Sequence, residues 1–514
     1  MKAPVERLVI LDFGSPHTLL IARKIRELNV YCEVLPFDAD PDRLLRKEVR
    51  GLILSGGTHN AHTVNTFLSR LDIFSLDRPI LGIGAGCAPL IKGVGAAIDE
   101  FEQRECASAD LEILDSAGLF QGIETGTTTP VWMCMSLNSV PAGFTVLGRT
   151  VGSSCAAFVD VSRRIYGVLF HPEVEQTEHG GSILANFALN ICGCPPSWTA
   201  DRFIEDAIMS VQNHVKTGQV LCALSGGVDS AVVAMLLDRA IGDQLVAVFI
   251  DNGVLRAGEA DAVKAYFSSV LGDRFVAVDA SAEFLSSLRG VTDPEQKRRI
   301  IGHTFIHIFE REAHRLGKID FLAQGTLYPD IIESVSARDG SVAVKSHHNV
   351  GGLPEAMRLE LVEPLRELFK DEVRVVAAAL GMPEALIRRQ PFPGPGLAVR
   401  ILGEVTPERV AVLQKADAIV REETAAAGLM PVLWQAFAVL LPLKTVGMKG
   451  HQRTYEDVCA IRVVESTDAM TARWAHLPYD LLDRLANRII GEVKGINRVV
   501  YDISSKPPAT IEWE

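Results

Sequence analysis

No stretch of the chain is apolar for long enough to cross a membrane: the most apolar region, residues 429–443, is broken by Pro431, Gln435 and Pro442. Nothing near Met1 has the pattern of a secretory signal, because Lys2, Glu6 and Arg7 run straight into a short strand. Positive charge is in deficit, with 51 Lys and Arg against 64 Asp and Glu and a formal net charge of −13. That deficit argues against nucleic acid or an anionic membrane as the main partner, while leaving room for a local basic pocket around a small nucleotide. The nine cysteines are scattered, and the single close pair, Cys192 and Cys194, is a lone Cys-x-Cys. They make neither a zinc framework nor a disulfide scaffold. A cytoplasmic globular protein is expected, and 514 residues allow about three domains.

What is present centres on residues 220–237. An apolar run, Val220 to Leu224, leads into the turn Ser225-Gly226-Gly227-Val228-Asp229-Ser230 and then an apolar helix. Two glycines let the backbone turn sharply and approach a ligand closely. The turn's amides and the hydroxyls of Ser225 and Ser230 meet at a helix N-terminus, where an anion is favoured. The Gly-Lys-Ser/Thr of the Walker loop is missing, so this is a phosphate cradle of another kind. Downstream, a strand from Leu245 ends in Asp251-Asn252-Gly253, placed for a ribose or adenine contact, although a plain Asn-Gly turn fits the same residues. Arg256 follows, suited to a bidentate phosphate contact. Pro294 opens a helix with basic residues beyond it, a pattern that also fits a solvated face. Asp330 and Glu333 stand one helical turn apart, a spacing that suits Mg²⁺ held between protein and phosphate oxygens. Lys345, His347, His348 and Asn349 precede Gly351 and Gly352, a composition that fits a lid over polyphosphate or an exposed polar loop.

Before residue 200, short apolar runs alternate with helical spacing: residues 8–11, then Ile21, Ile25 and Leu28 on one helix face, then runs at 32–35, 51–54 and 79–83. This alternation predicts a parallel sheet with helices on both faces, with ligands at the carboxyl ends of its strands. Three turns fall there, at 12–15, 55–57 and 82–86, and His171 and Glu173 lie just past a later strand. Residues 190–196 mark an exit from this region. Residues 389–397, rich in proline and glycine, exclude helix and strand. The apolar and charged tail after Ser504 suggests a docked end.

Residues 8–173 resemble the class I glutamine amidotransferase domain found at the front of the GMP synthetase family. That family places a cysteine nucleophile in a Gly-x-Cys-x-Gly elbow, with His and Glu partners matching His171 and Glu173. Here the elbow reads Gly82-Ile83-Gly84-Ala85-Gly86, so the nucleophile position is Gly84, which has no side chain to attack a carbonyl. Cys87 stands three residues along, about one helical turn away, where its sulfur should point elsewhere. Two further departures agree: Met133-Cys134-Met135-Ser136-Leu137 stands where the family has Met-Ser-His-Gly-Asp, and Asp12-Phe13-Gly14-Ser15-Pro16-His17 where it has Asp-Phe-Gly-Ser-Gln-Tyr. A degenerate glutaminase site is expected, with Gly84, His171 and Glu173 as its remnant.

The remaining motifs resemble the same family's ATP pyrophosphatase domain and C-terminal dimerisation domain. The expected class is α/β, with two doubly wound parallel-sheet domains followed by a smaller α+β dimerisation domain. The expected boundaries are 1–195, 196–388 and 389–514. The resemblance implies amination of XMP to GMP through an adenyl-XMP intermediate, releasing AMP and pyrophosphate. It implies ATP bound by Ser225, Gly226, Gly227, Val228, Asp229, Ser230, Asp251 and Gly253, and XMP bound by Arg256, Lys506 and Glu512. It also implies Mg²⁺ on Asp229, Asp330 and Glu333, catalytic roles for Asp330, Glu333, Lys345, His347 and His348, and a homodimer. Without the cysteine, the nitrogen donor is expected to be ammonia, free or from a separate donor protein. The alternatives are a paralogue that aminates another purine or takes another nitrogen donor, and a non-catalytic nucleotide-binding regulator.

Overall fold

The computed structural model describes residues 5–56, 61–70, 72–94, 101–137, 140, 142–336, 359–449, 451–466 and 471–514. The chain divides into two compact units, Met1–Phe203 and Ile204–Glu514.

The first unit is built on nine strands: β1 (Arg7–Phe13), β2 (Tyr31–Pro36), β3 (Val49–Gly56), β4 (Ile80–Gly84), β5 (Phe101–Ile113), β6 (Thr128–Leu137), β7 (Thr145–Thr150), β8 (Ser153–Asp160) and β9 (Ile165–Val168). Their order is β2-β1-β3-β4-β9-β8-β7-β5-β6. The pairs from β2 to β9 are parallel, and those from β9 to β6 antiparallel. Leu8, Val9, Ile10 and Leu11 are wholly buried, as are Leu52, Ile53 and Leu54 beside them. Unbroken apolar runs of this kind belong to parallel strands covered on both faces. The helix Thr18–Glu27 covers one face with Ile21, Ala22 and Ile25. The cysteine pattern alone did not reveal that Cys106 and Cys134 form a disulfide, which joins β5 to β6. The other seven cysteines are buried thiols.

The second unit holds a parallel sheet of β10 (Val220–Leu224), β11 (Leu245–Asp251), β12 (Phe275–Asp279), β13 (Phe321–Ala323) and β14 (Glu360–Val362), in the order β12-β11-β10-β13-β14. Beyond it lie β15 (Gln435–Lys449) and β16 (Gln452–Glu465), a long antiparallel pair, with β17 (Arg473–Trp474) and β18 (Ile496–Tyr501) also on β16. The helices Pro407–Ala426 and Tyr479–Glu492 bury Leu413, Ile419, Leu481, Leu485 and Ile489. One apolar cluster runs from Leu221 and Val248 through Phe284 and Leu397 to Ala438 and Ile461. The expected segments 196–388 and 389–514 therefore share a core. The expected helix at Pro294 spans Pro294–Leu316, with Asp293 accepting the Gln296 amide as its N-cap. The expected α/β class, with a smaller α+β part at the end, is the one observed.

Tight backbone contact fixes the end of β3 against the turn after β4. A Cβ on Gly86 would lie 1.9 Å from the Leu54 carbonyl oxygen, and one on Gly56 would lie 2.0 Å from the Gly86 nitrogen. Gly86→Ala should therefore cost about 1–3 kcal/mol in overpacking. Gly181→Ala, whose Cβ meets nothing within 4 Å, should be neutral or stabilising. Thermal unfolding of the two variants checks the contrast.

Candidate functional site

In the first unit, β4 ends at Gly84, whose φ of 56° and ψ of −127° start a short turn, Ala85–Cys87, into the helix Ala88–Gly93. The left-handed φ is one that glycine adopts without strain. This is a strand-turn-helix elbow at the carboxyl end of a parallel strand, as the spacing predicts. A Cβ at position 84 would stand 3.0 Å from His171 Cε1 and 3.1 Å from Nε2. On the other side of the ring, His171 Nδ1 is 2.7 Å from Glu173 Oε1. The ring is oriented as a general base would be, with a carboxylate behind it and its far nitrogen toward position 84. The His171 amide donates to the Trp132 carbonyl at 2.9 Å, and Thr177 Oγ1 donates to the His171 carbonyl at 2.6 Å, so the backbone is held as well.

Nothing at position 84 can act as a nucleophile. Cys87 is wholly buried, with its thiol 3.5 Å from the Val168 carbonyl, and burial pushes its pKa up. Such a thiol is inert. A neighbour that motif reading did not assign a role is His17, whose Nδ1 lies 3.4 Å from Glu173 Oε1 and 3.4 Å from His171 Nδ1. It follows a turn in which Asp12 Oδ1 accepts from the amides of Gly14 and Ser15 and from the Thr18 hydroxyl. Burial alone would raise the Glu173 carboxyl, but hydrogen bonds from His17 and His171 outweigh it and hold the pKa below its ordinary value.

In the second unit, the turn after β10 enters the helix Val228–Ile241 with Gly227 as N-cap. Ser225 and Ser230 face each other, with 3.1 Å between hydroxyl oxygens, and the Ser225 amide donates to Ser230 Oγ at 3.1 Å. Gly226 has a φ of 77°, and its carbonyl accepts from the Arg389 guanidinium, which also pairs with Glu259. Asp229, in the helix's first turn, accepts from Lys370 Nζ at 2.6 Å. Gly325 closes on it from the turn after β13, where a Cβ would stand 3.2 Å from Asp229 Cβ. At the end of β11, Asp251 accepts from the Gly253 amide at 3.1 Å and from Lys264 at 3.2 Å. Asp330 Oδ2 accepts the Leu327 amide at 3.0 Å, at the start of the helix Tyr328–Ser336 that also carries Glu333. The Glu333 side chain, and all of Lys345, His347 and His348, lie outside the described residues. Among the described residues, Asp229 and Asp330 belong to no group of three ligand atoms close enough for one ion. Each is a carboxylate of the type Mg²⁺ takes singly or in pairs, completing its shell with phosphate oxygens and water.

Arg256 is 5% exposed and is held within an aromatic and charged cluster. Its Nε is 3.5 Å from Asp417 Oδ2, its guanidinium carbon is 4.6 Å from the Phe392 ring centre, and Nε and Nη2 have no hydrogen-bond partner. Burial lowers its pKa to about 10 despite Asp417. Arg400, wholly buried, donates to Glu512 at 2.9 and 2.7 Å and stacks on Phe437 at 3.8 Å, while its Nη1 lies 3.9 Å from Asp417 Oδ1 without a hydrogen bond. Buried guanidinium donors without acceptors suit an anionic ligand. The tail is docked as expected: Arg462 donates to the Thr510 carbonyl at 3.0 Å, and Trp513 Nε1 to Asp502 at 2.9 Å. Lys506 is placed by a backbone bridge to Ala472. Arg256 and Glu512 are singled out by the sequence and its family resemblance; Arg389, Arg400 and Asp417, which surround them, are not. The first two flank a segment read only as a proline–glycine hinge.

A family model described as glutamine amidotransferase class-I matches residues 9–191, and one described as GMP synthase C terminal domain matches residues 422–513. The chain is 50% identical over 516 residues to a GMP synthase (glutamine-hydrolyzing) of Brachyspira hyodysenteriae, covering 100% of both chains. It is 51% identical over 513 residues to a protein of the same description from Phenylobacterium zucineum, covering 99% of each. A solved structure of a glutamine amidotransferase from Thermotoga maritima is 18% identical with a TM-score of 0.27, covering 42% of this chain and 85% of that one. With half of its residues shared over its whole length, and the two family models matched in order along it, the chain belongs to the GMP synthase family.

Proposed function

We propose that this protein aminates XMP to GMP at the second unit with ATP and ammonia, and that its first unit does not hydrolyse glutamine. The observation that carries the donor assignment is Gly84: an oriented His171–Glu173 pair faces a residue with no side chain. Relatives described as glutamine-hydrolyzing carry their activity in their names; here the acyl-transfer step has no atom to start from. Chains in which a catalytic triad has lost its nucleophile keep only about 10³–10⁴-fold over water in the serine protease case.

In the proposed reaction the xanthine C2 oxygen attacks the α-phosphorus of ATP, the bond to the β-phosphate oxygen breaks, and pyrophosphate leaves. Ammonia then adds at C2, AMP departs with the oxygen, and a proton is lost to give GMP. The Ser225–Ser230 turn would hold the leaving pyrophosphate at the N-terminus of the helix Val228–Ile241, where the two serine hydroxyls lie 3.1 Å apart. Asp229, Asp330 and Glu333 would hold Mg²⁺, which offsets charge on the phosphates. Lys345 would reach the same charge, and His347 or His348 would manage the proton. Lys370 shares Asp229's charge in the absence of substrate. Asp251 and Gly253 face the nucleoside, while Arg256, Lys506 and Glu512 hold XMP, with Arg400 keeping Glu512 in place.

The protein is further proposed to act in the cytoplasm as a homodimer. No described helix is long and apolar enough to cross a membrane. Leu443, Val446, Met448 and Tyr455, at 50–64% exposure near the tip of the β15–β16 pair, form an apolar edge that a second copy would cover. The three domains would then be 1–195 for the amidotransferase-like part, 196–388 for the ATP pyrophosphatase and 389–514 for dimerisation.

Three outcomes are expected. Purified protein should release pyrophosphate from ATP with XMP and an ammonium salt, faster as pH rises and free ammonia increases, and glutamine should give no release above background. Equal turnover with glutamine would contradict the donor assignment, and no release with either would favour a non-catalytic regulator. Gly84→Cys should install a thiol that iodoacetamide alkylates at once, because His171 Nε2 is beside it; the His171 ring must yield a few tenths of an ångström. Mass spectrometry of the labelled chain checks this. Asp229→Asn should weaken use of Mg²⁺–ATP by about 10- to 100-fold, read from the Mg²⁺ dependence of pyrophosphate release.

A further inference from the structure

His17, His171 and Glu173 form the one group of three metal-type ligands within 4.8 Å among the described residues. The ligand atoms are two imidazole Nδ1 atoms and a carboxylate oxygen, separated by 2.7, 3.4 and 3.4 Å. Ligands about 2.0–2.1 Å from a tetrahedral ion stand about 3.3–3.4 Å apart, so two of the three separations already match. The third is a hydrogen bond, which opens when the proton it shares is displaced.

The chemistry of the group supports the same assignment. A base-and-carboxylate dyad needs one imidazole, whereas here a second arrives from the turn after β1, 154 residues away in sequence from His171. Glu173 has a wholly buried side chain, and its Oε2 has no hydrogen-bond partner. A buried carboxylate with an idle oxygen and two imidazole neighbours is an arrangement that a cation completes. His171 is also buried, but the His17 side chain is 31% exposed, which leaves a way in from solvent.

We infer that His17, His171 and Glu173 bind one divalent transition-metal ion of the zinc class, through His17 Nδ1, His171 Nδ1 and one or both oxygens of Glu173. Two imidazoles and one carboxylate select Zn²⁺, Co²⁺ or Fe²⁺ over Mg²⁺, which prefers an all-oxygen shell. Three protein ligands leave a fourth position for water. Binding moves the proton held between His171 Nδ1 and Glu173 to His171 Nε2, which then faces Gly84 as an N–H. The site does not depend on which nitrogen donor the second unit uses.

The test uses the full, untagged chain stripped with a chelator and titrated with Co²⁺, followed by visible absorption and metal analysis after gel filtration. The expected result is about one Co²⁺ per chain with the intense visible bands of a four- or five-coordinate ion and no sulfur charge-transfer band. Zn²⁺ should displace it. His17→Ala should weaken binding by about 100-fold or more, and His17→Cys should restore it with a sulfur band added. The melting temperature of each variant without metal establishes that it is folded. No retained cobalt, a six-coordinate spectrum, or equal binding by wild type and His17→Ala would overturn the assignment.

Discussion

Parallel strands buried on both faces cannot offer polar side chains along their length, so chemistry is pushed to their carboxyl ends. Both units obey that constraint. In the first, β1, β3, β4 and β9 lead into Asp12, Ser55, Gly84 and His171, four positions brought together from distant parts of the chain. In the second, β10, β11 and β13 lead into the Ser225–Ser230 turn, Asp251 and the loop at Gln324. The apolar cores hold the strands in register, and that register sets the distances between functional groups.

The two sites differ in what their scaffolds now hold. In the first unit the elbow dihedral at Gly84, the close approach of Gly86 to β3 and the ring orientation of His171 occur together. Position 84 itself offers no side chain to the His171 ring. The second unit keeps its charged groups in mutual check: Lys370 neutralises Asp229, Arg389 pairs with Glu259, and Arg400 with Glu512. Arg256 and Arg400 share Asp417 as an ion-pair partner but retain buried N–H groups without hydrogen bonds. Such donors are costly in the free protein and would gain most when a phosphate or purine oxygen arrives.

The local parts of this architecture were legible from residue order. Val220–Leu224 is the strand expected, Asp293 and Pro294 start the expected helix, and the Gly84 elbow follows from glycine spacing after an apolar run. Those signals are short-range, resting on turn chemistry, capping and periodicity. The pairings that shape the sites were not legible, because each joins residues far apart in sequence. Asp229 meets Lys370 across 141 positions, and Arg400 meets Glu512 across 112. His17 had a sequence signal, its place in a turn that departs from the family's pattern, but its partners are set by the sheet. Cys106 and Cys134 likewise become neighbours only through the β5–β6 pairing.

Nitrogen is proposed to reach the purine without passing through an amide-splitting step on this chain. Isotope competition tests it directly: protein, XMP and ATP are given ¹⁵N-ammonium together with unlabelled glutamine in excess, and the GMP formed is weighed by mass spectrometry. The new amino group is expected to be labelled to the full enrichment of the ammonium pool. GMP carrying mainly unlabelled nitrogen, with glutamate formed in equal amount, would contradict it.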